Sequence, residues 1–379
     1  MPYPIALLLA GIALGATHLV PLPHLTRELL FAVFLPGLLF EAAYHLEIRE
    51  LRENSWTISA LAVPGVVAAV ALTAAFVVMA SRLGAGTPLD WTTGLLFGAV
   101  IAATDPVAVT ALFRELRAPR RLHVLVESES LLNDGSSIVF LALLLEFLSG
   151  ASPTLTSLAG GFLRIALGGA AIGIAIGWGV AHLRTRVEDA TIEITLTTIA
   201  AYGSFVAAES LQCSGVIATV AAGVLCGHSG RHHALTAGSR AAVKGFWEWL
   251  AFALNSAVFL MLGTELSLTA LRGEWRLVAV AALAALAARA LVVGTTGALL
   301  SRTHERMPAR WMPVMAWGGL RGALSLVLAY SLPGDIGNRP LIIAMTAGTV
   351  VLSLVGQGGS MPWLLRRLRL VESADQQRG

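Results

Sequence analysis

The sequence predicts an all-α polytopic membrane protein of about twelve transmembrane helices, built as inverted repeats that each hold one discontinuous helix, the two crossing at the membrane midplane. Three observations predict it. Hydrophobic residues make up 56% of the 379 residues and charged residues only 13%, with a mean hydropathy of +0.75. Apolar runs long enough to cross roughly 30 Å of hydrocarbon recur from end to end. Two of these runs, one in each half of the chain, are interrupted by Pro or Gly beside a charged residue.

The runs lie near 3–20, 29–46, 56–80, 91–113, 124–148, 157–183, 191–211, 213–228, 246–264, 275–300, 311–332 and 340–365. The first begins almost at Met1 with neither a basic n-region nor a small-residue cleavage site, so it reads as a retained helix rather than a signal peptide. The second, F-L-P-G-L-L-F-E-A-A-Y-H-L, carries Glu41 at membrane level, and the third is an apolar stretch rich in Ala and Val. The fourth reads G-A-V-I-A-A-T-D-P-V-A-V-T. There Pro106 removes a backbone donor and clashes with the preceding turn, so the carbonyls near Ala102 and Ala103 lose their partners beside Thr104 and Asp105.

The fifth run opens with E-S-E-S-L-L-N-D-G-S-S over residues 127–137. The sixth is glycine-rich, with Gly168, Gly169, Gly173, Gly177 and Gly179 placed for close helix packing. Gln212 and Cys213 alone separate the seventh and eighth, which requires a tight turn, and Glu209 precedes that turn as either a capping or a functional acid. The tenth carries Arg289 well inside the span, and the sequence leaves its partner open. The eleventh, W-G-G-L-R-G-A-L-S, flanks Arg321 with Gly318, Gly319 and Gly322. After the twelfth only a short polar tail follows, and no soluble C-terminal domain is predicted.

Charge in the connections sets the orientation, because Lys and Arg collect on the cytoplasmic side. Connections after even-numbered spans hold about 18 basic residues and the others about 6, which predicts both termini in the cytoplasm. The net charge of +3 therefore reflects membrane orientation, and no nucleic-acid surface is implied. Cys213 and Cys226 read as packing residues. Trp247, Trp249, Trp275 and Trp311 lie near span ends, as an aromatic belt would. His228, His232 and His233 read as a solvated cytoplasmic loop rather than a metal site.

Carboxylates at membrane depth cost about 2.5–3.5 kcal/mol each on insertion scales, so they line an aqueous path, carry a proton or hold an ion. At 100° per residue Glu127, Ser130 and Asp134 share one helix face, with Glu129, Asn133 and Ser137 beside them. Carboxylate, hydroxyl and freed carbonyl oxygens suit a hard monovalent cation. Desolvation penalises an ionised carboxylate. A group such as Asp134 can therefore hold a cation or a proton, and competition between them is the simplest basis for exchange. Arg321 needs an acidic partner, for which Glu129, Glu127, Asp105 and Asp134 are the candidates. A channel would need a continuous polar lining, whereas these acids cluster at one depth. An intramembrane hydrolase using Asp105 and Asp134 as an acid/base pair has no other feature in its favour.

At these residues the chain resembles the monovalent cation:proton antiporter-1 family, the sodium/proton exchangers of the NhaP and NHE kind. The resemblance runs through F-E-A, A-A-T-D-P-V-A-V, E-S-L-L-N-D-G, A-E-S-L-x-x-S-G-V-I-A, W-G-G-L-R-G-A-L-S-L and V-G-Q-G. It implies an NhaA-like antiporter fold in a single integral membrane unit, with an ion-binding core over roughly 56–148 and 275–365. The remaining helices, about 1–55 and 157–270, would form a scaffold and homodimer interface. It further implies elevator-type exchange of Na⁺, Li⁺ or K⁺ for H⁺ in the plasma or inner membrane, with no enzyme activity and no cofactor beyond the transported ions. Asp134 would bind ion and proton, with Ser130, Asp105, the Thr104 main chain and Glu41 around the cation. Asn133 would be the neutral neighbour that goes with electroneutral one-for-one exchange. Glu129 would pair with Arg321, and Gln357 matches a polar position of the last helix.

Overall fold

A computed structural model describes residues 3–17, 26–148, 155–186, 189–232, 237–265 and 273–371. The described residues are helical throughout, apart from turns and short extended links. In chain order the main helices are α1 (Tyr3–Thr17), α2 (Leu35–His45), α3 (Pro64–Arg82), α4 (Trp91–Ala102), α5 (Val107–Glu115) and α6 (Arg120–Leu148). They continue as α7 (Leu155–Arg184), α8 (Ala190–Ser210), α9 (Gly215–His232), α10 (Ala237–Glu265) and α11 (Trp275–Leu299). The last are α12 (Trp311–Trp317), α13 (Ala323–Tyr330), α14 (Arg339–Leu352) and α15 (Gly359–Arg367).

Among the described residues, eight helical stretches are long and apolar enough to cross a membrane, and Ile5–Gly15, Leu30–His45 and Gly215–Gly230 are shorter apolar helices. Each predicted run coincides with helix in its described part, but the length criterion alone gives eight spans rather than twelve. The run at 311–332 is split into α12 and α13 by its glycines, and three further apolar helices are counted only over their described residues.

The chain divides into two compact units. Unit 1 comprises Met1–Leu25, Glu53–Ile138 and Phe259–Gly379; unit 2 comprises Thr26–Arg52 and Val139–Val258. The first helix, grouped with the scaffold on sequence grounds, falls in unit 1.

In unit 1, α3 packs on α4 and α11, and α11 packs on α12 and α14. Local chemistry sets the ends of these helices. Asp90 accepts from the Thr93 N–H at 3.3 Å and so caps α4. Pro64 starts α3 at its first position, leaving a break at Val63 after the short helix Ser55–Ala62. Between α14 and α15 the helix widens to a π segment, Ser353–Gly358.

In unit 2, α9 packs on α7, α8 and α2. Gly173 and Gly177 of α7 face the backbone of Ala218 and Ala222 on α9, so a side chain at either position would collide. Gly169 faces the Ser214 backbone in the same way and Gly168 the Cys213 side chain, whereas Gly179, expected to do likewise, meets open space. Trp247 is fully buried beside Phe40 and donates to Thr197 Oγ1 at 3.1 Å, so it is a core residue and not part of an aromatic belt. Glu209 accepts from the Gly215 N–H at 3.1 Å, the capping role among its two readings. His228 and His232 lie on α9 instead of a loop, and His233 lies outside the described residues.

Candidate ion-binding site

The site lies in unit 1, where two interrupted helices meet. Helix α4 ends at Ala102 and α5 resumes at Val107. Helix α12 ends at Trp317 and α13 resumes at Ala323. The extended links touch directly, with the Asp105 N–H donating to the Leu320 carbonyl at 2.8 Å. Gly322 makes this approach possible, since a Cβ there would occupy the space of the Asp105 side chain. Asp105 Oδ1 in turn accepts from Val107 N–H at 3.0 Å and caps the first turn of α5.

Breaking α4 strands its last carbonyls, and buried carbonyls require donors. Arg321 Nη1 donates to Ala102 O at 2.8 Å and Ala103 O at 3.2 Å. Asn133 Nδ2 donates to the same Ala102 O at 2.9 Å and to Thr104 Oγ1 at 3.3 Å. Ser325 Oγ reaches Ala103 O at 3.3 Å. Ser130 Oγ donates to Thr104 O at 2.6 Å and accepts from Thr104 Oγ1 at 3.0 Å. Ser137 Oγ orients Asn133 by donating to its Oδ1 at 3.0 Å. The polar arc of α6 is therefore buried against the break in α4, and it supplies the donors that the broken helix lost.

The Asp134 carboxylate meets the same break, accepting a hydrogen bond from the Thr104 backbone N–H. Its Oδ1 is buried with no hydrogen-bond partner among the described residues. It also lies within electrostatic reach of Asp105, Glu129 and Arg321. A buried carboxylate oxygen without a donor is costly unless a proton or a cation occupies it. Carboxylate, hydroxyl and carbonyl oxygens are the hard donors a small monovalent cation takes, and Asp134, Asp105, Ser130 and Thr104 supply them beside the break.

Glu129 does not pair with Arg321. It accepts from Arg289, Nη1 to Oε1 at 2.6 Å and Nη2 to Oε2 at 2.8 Å. This two-pronged pair fits a planar guanidinium to a carboxylate. Arg321 is instead spent on the α4 carbonyls, and its own backbone N–H donates to Ser353 Oγ at 3.1 Å in the π segment. Ser325 and Ser353 were not singled out from sequence, because one serine in an apolar helix carries no distinguishing signal. Arg289 could have been assigned, since Arg289 and Arg321 are the basic residues placed deep within their spans and each needs a counter-charge or a ring of carbonyls.

Glu127, also on the arc, sits 3.4 Å from His123 Nε2 and 3.9 Å from Arg114. Glu41 belongs to α2 of unit 2, where its carboxylate lies 3.3 Å from His45 Nδ1. Gln357 lies in the π segment, its Oε1 unpartnered among the described residues.

A family model described as sodium/hydrogen exchanger, transmembrane, matches residues 1–367. The chain belongs to the sodium/hydrogen exchanger family. The Na⁺/H⁺ antiporter ApNhaP of Aphanothece halophytica is 35% identical over all of this chain and 72% of its own length. The Na⁺/H⁺ antiporter NhaP of Pseudomonas aeruginosa is 36% identical over 93% of this chain and 84% of its own. The solved structure of the sodium proton antiporter MjNhaP1 from Methanocaldococcus jannaschii at pH 8 superimposes with a TM-score of 0.78 at 19% identity, covering 98% of this chain and 93% of that one. That likeness carries the fold. This member of the sodium/hydrogen exchanger family is accordingly a polytopic membrane transporter and not an enzyme.

Proposed function

We propose that this exchanger moves a monovalent cation, Na⁺ or its near neighbours Li⁺ and K⁺, against H⁺, with both competing for Asp134. The observation that carries the reading is the buried, unpartnered Oδ1 of Asp134 beside two interrupted helices. The relatives' names, Na⁺/H⁺ antiporters, support Na⁺ and H⁺ as the exchanged ions.

In this reading the cation is held by Asp134 with Ser130, Asp105 and the Thr104 carbonyl. Arg321 and Asn133 keep the ends of α4 in place, and the Glu129–Arg289 pair holds α6 against α11. Asn133 is occupied with Ala102, Thr104 and Ser137 and carries no charge. One acid then releases one proton for each cation bound, which makes exchange electroneutral and one-for-one. An elevator-type movement of unit 1 would carry the site across the membrane, within a homodimer in the plasma or inner membrane with both termini cytoplasmic. About twelve spans in inverted repeats complete this arrangement.

The test is exchange in proteoliposomes with Na⁺, Li⁺ and K⁺, with and without an imposed voltage. Cation-dependent proton movement at a voltage-independent rate is expected. Charge movement in every cycle would refute the stoichiometry, and single-channel currents would refute the mechanism.

A further inference from the structure

A second chamber lies within unit 1, bordered by α11, the link between α12 and α13, and the π segment after α14. Its volume is about 560 Å³. Its wall is built from the alanines of α11 with Leu283 and Leu352, which are 65% and 47% exposed. Its inner end holds two guanidinium groups, Arg321 and Arg289, only 5% and 6% exposed.

The polar groups of this chamber are under-used. Arg289 Nε, Thr349 Oγ1 and Gln357 Oε1 are buried without hydrogen-bond partners among the described residues. Glu129 engages the two terminal nitrogens of Arg289 and leaves Nε over. Arg321 donates through Nη1 to backbone carbonyls alone, and no carboxylate among the described residues lies within ion-pair distance of it. A guanidinium keeps its charge under all ordinary conditions. A buried cation with no carboxylate in ion-pair contact, beside unpartnered polar atoms and at the end of a chamber with apolar sides, suits an anion carried on an apolar body.

We propose that this chamber binds a bilayer-borne monocarboxylate of medium chain length, its carboxylate on Arg321 and its hydrocarbon along the α11 wall and Leu283. Charge complementarity selects the head group, and the exposed leucines select an occupant that arrives through lipid. Occupancy would add one negative charge beside the Arg321 that holds the broken end of α4, so it would act on the site without entering it.

The experiment uses the full chain in lipid nanodiscs and radiolabelled decanoate, with empty nanodiscs subtracted. Saturable binding of one decanoate per chain is expected, with decanol at least tenfold weaker. Arg321→Gln should weaken decanoate at least tenfold, as loss of a charge-assisted hydrogen bond does. Ala282→Phe, which fills the chamber from α11 and leaves Arg321 intact, should abolish it in a monodisperse protein. Equal uptake of decanol and decanoate, binding unchanged by Ala282→Phe, or no saturable binding would each overturn the proposal.

Discussion

Converting Glu129 to Leu isolates the ion pair that holds α6 to α11. The wild-type pair is two-pronged, at 2.6 and 2.8 Å, and both partners are buried. Removing the carboxylate charge leaves Arg289 buried and uncompensated, with its Nε already lacking a partner. Breaking such a pair from one side costs about 3–5 kcal/mol, whereas replacing both members with apolar groups of similar volume is often neutral. Glu129→Leu and Arg289→Met should therefore each destabilise by that order, and the double variant should recover most of the loss. The coupling between positions 129 and 289 is expected at about 3 kcal/mol or more. The parallel cycle between 129 and 321 should give less than about 1 kcal/mol, because Arg321 spends its hydrogen bonds on Ala102 and Ala103. The assay is equilibrium unfolding in mixed micelles by denaturing-detergent titration. Strong coupling of 129 to 321 with none to 289 would refute the assignment.

Gly322→Ala should destabilise by about 1–3 kcal/mol and lower exchange, since its Cβ enters the space of Asp105; Gly179→Ala, facing open space, should unfold like wild type in the same titration. Arg321→Gln should weaken the hold on the α4 carbonyls, costing about 1.5–3 kcal/mol per charge-assisted bond lost, read as faster amide exchange at residues 102–105. At the start of α4, burial pushes the Asp90 carboxyl up, but the hydrogen bonds from Thr93 outweigh it and hold it below the usual carboxylate range. A carboxylate depressed in the folded state contributes stability that is complete above its unfolded value, about 3.9, and is lost as pH falls through the folded one. Wild type should thus lose stability on acidification below about pH 4 more steeply than Asp90→Asn, measured as melting temperature against pH; parallel curves would contradict this.

Much of this architecture can be read from the chain because membrane insertion writes it in composition. Apolar runs marked the helices, and Pro106 and the glycines around Arg321 marked where two of them open. One helix face and one break group Asp134, Ser130, Asn133, Thr104 and Asp105 in the sequence; Ser130, Asn133 and Thr104 share hydrogen bonds, and Asp134 lies within electrostatic reach of Asp105. What stayed illegible depends on distances between helices. Periodicity places Glu129 on α6 but does not say whether Arg289 or Arg321 faces it. Span-end position does not distinguish a buried Trp247 from the exposed Trp249 and Trp275. The π segment at Ser353–Gly358 leaves no pattern that could be separated from an ordinary glycine-bearing helix.

The central claim is that a single acid accepts either a cation or a proton. Proton release from lightly buffered purified protein on addition of NaCl tests it directly, against choline chloride at equal ionic strength. Wild type should release close to one proton for each Na⁺ bound, and Asp134→Asn, folded and monodisperse, should release none. Undiminished release from Asp134→Asn, or Na⁺ binding by wild type with no proton displaced, would contradict the account.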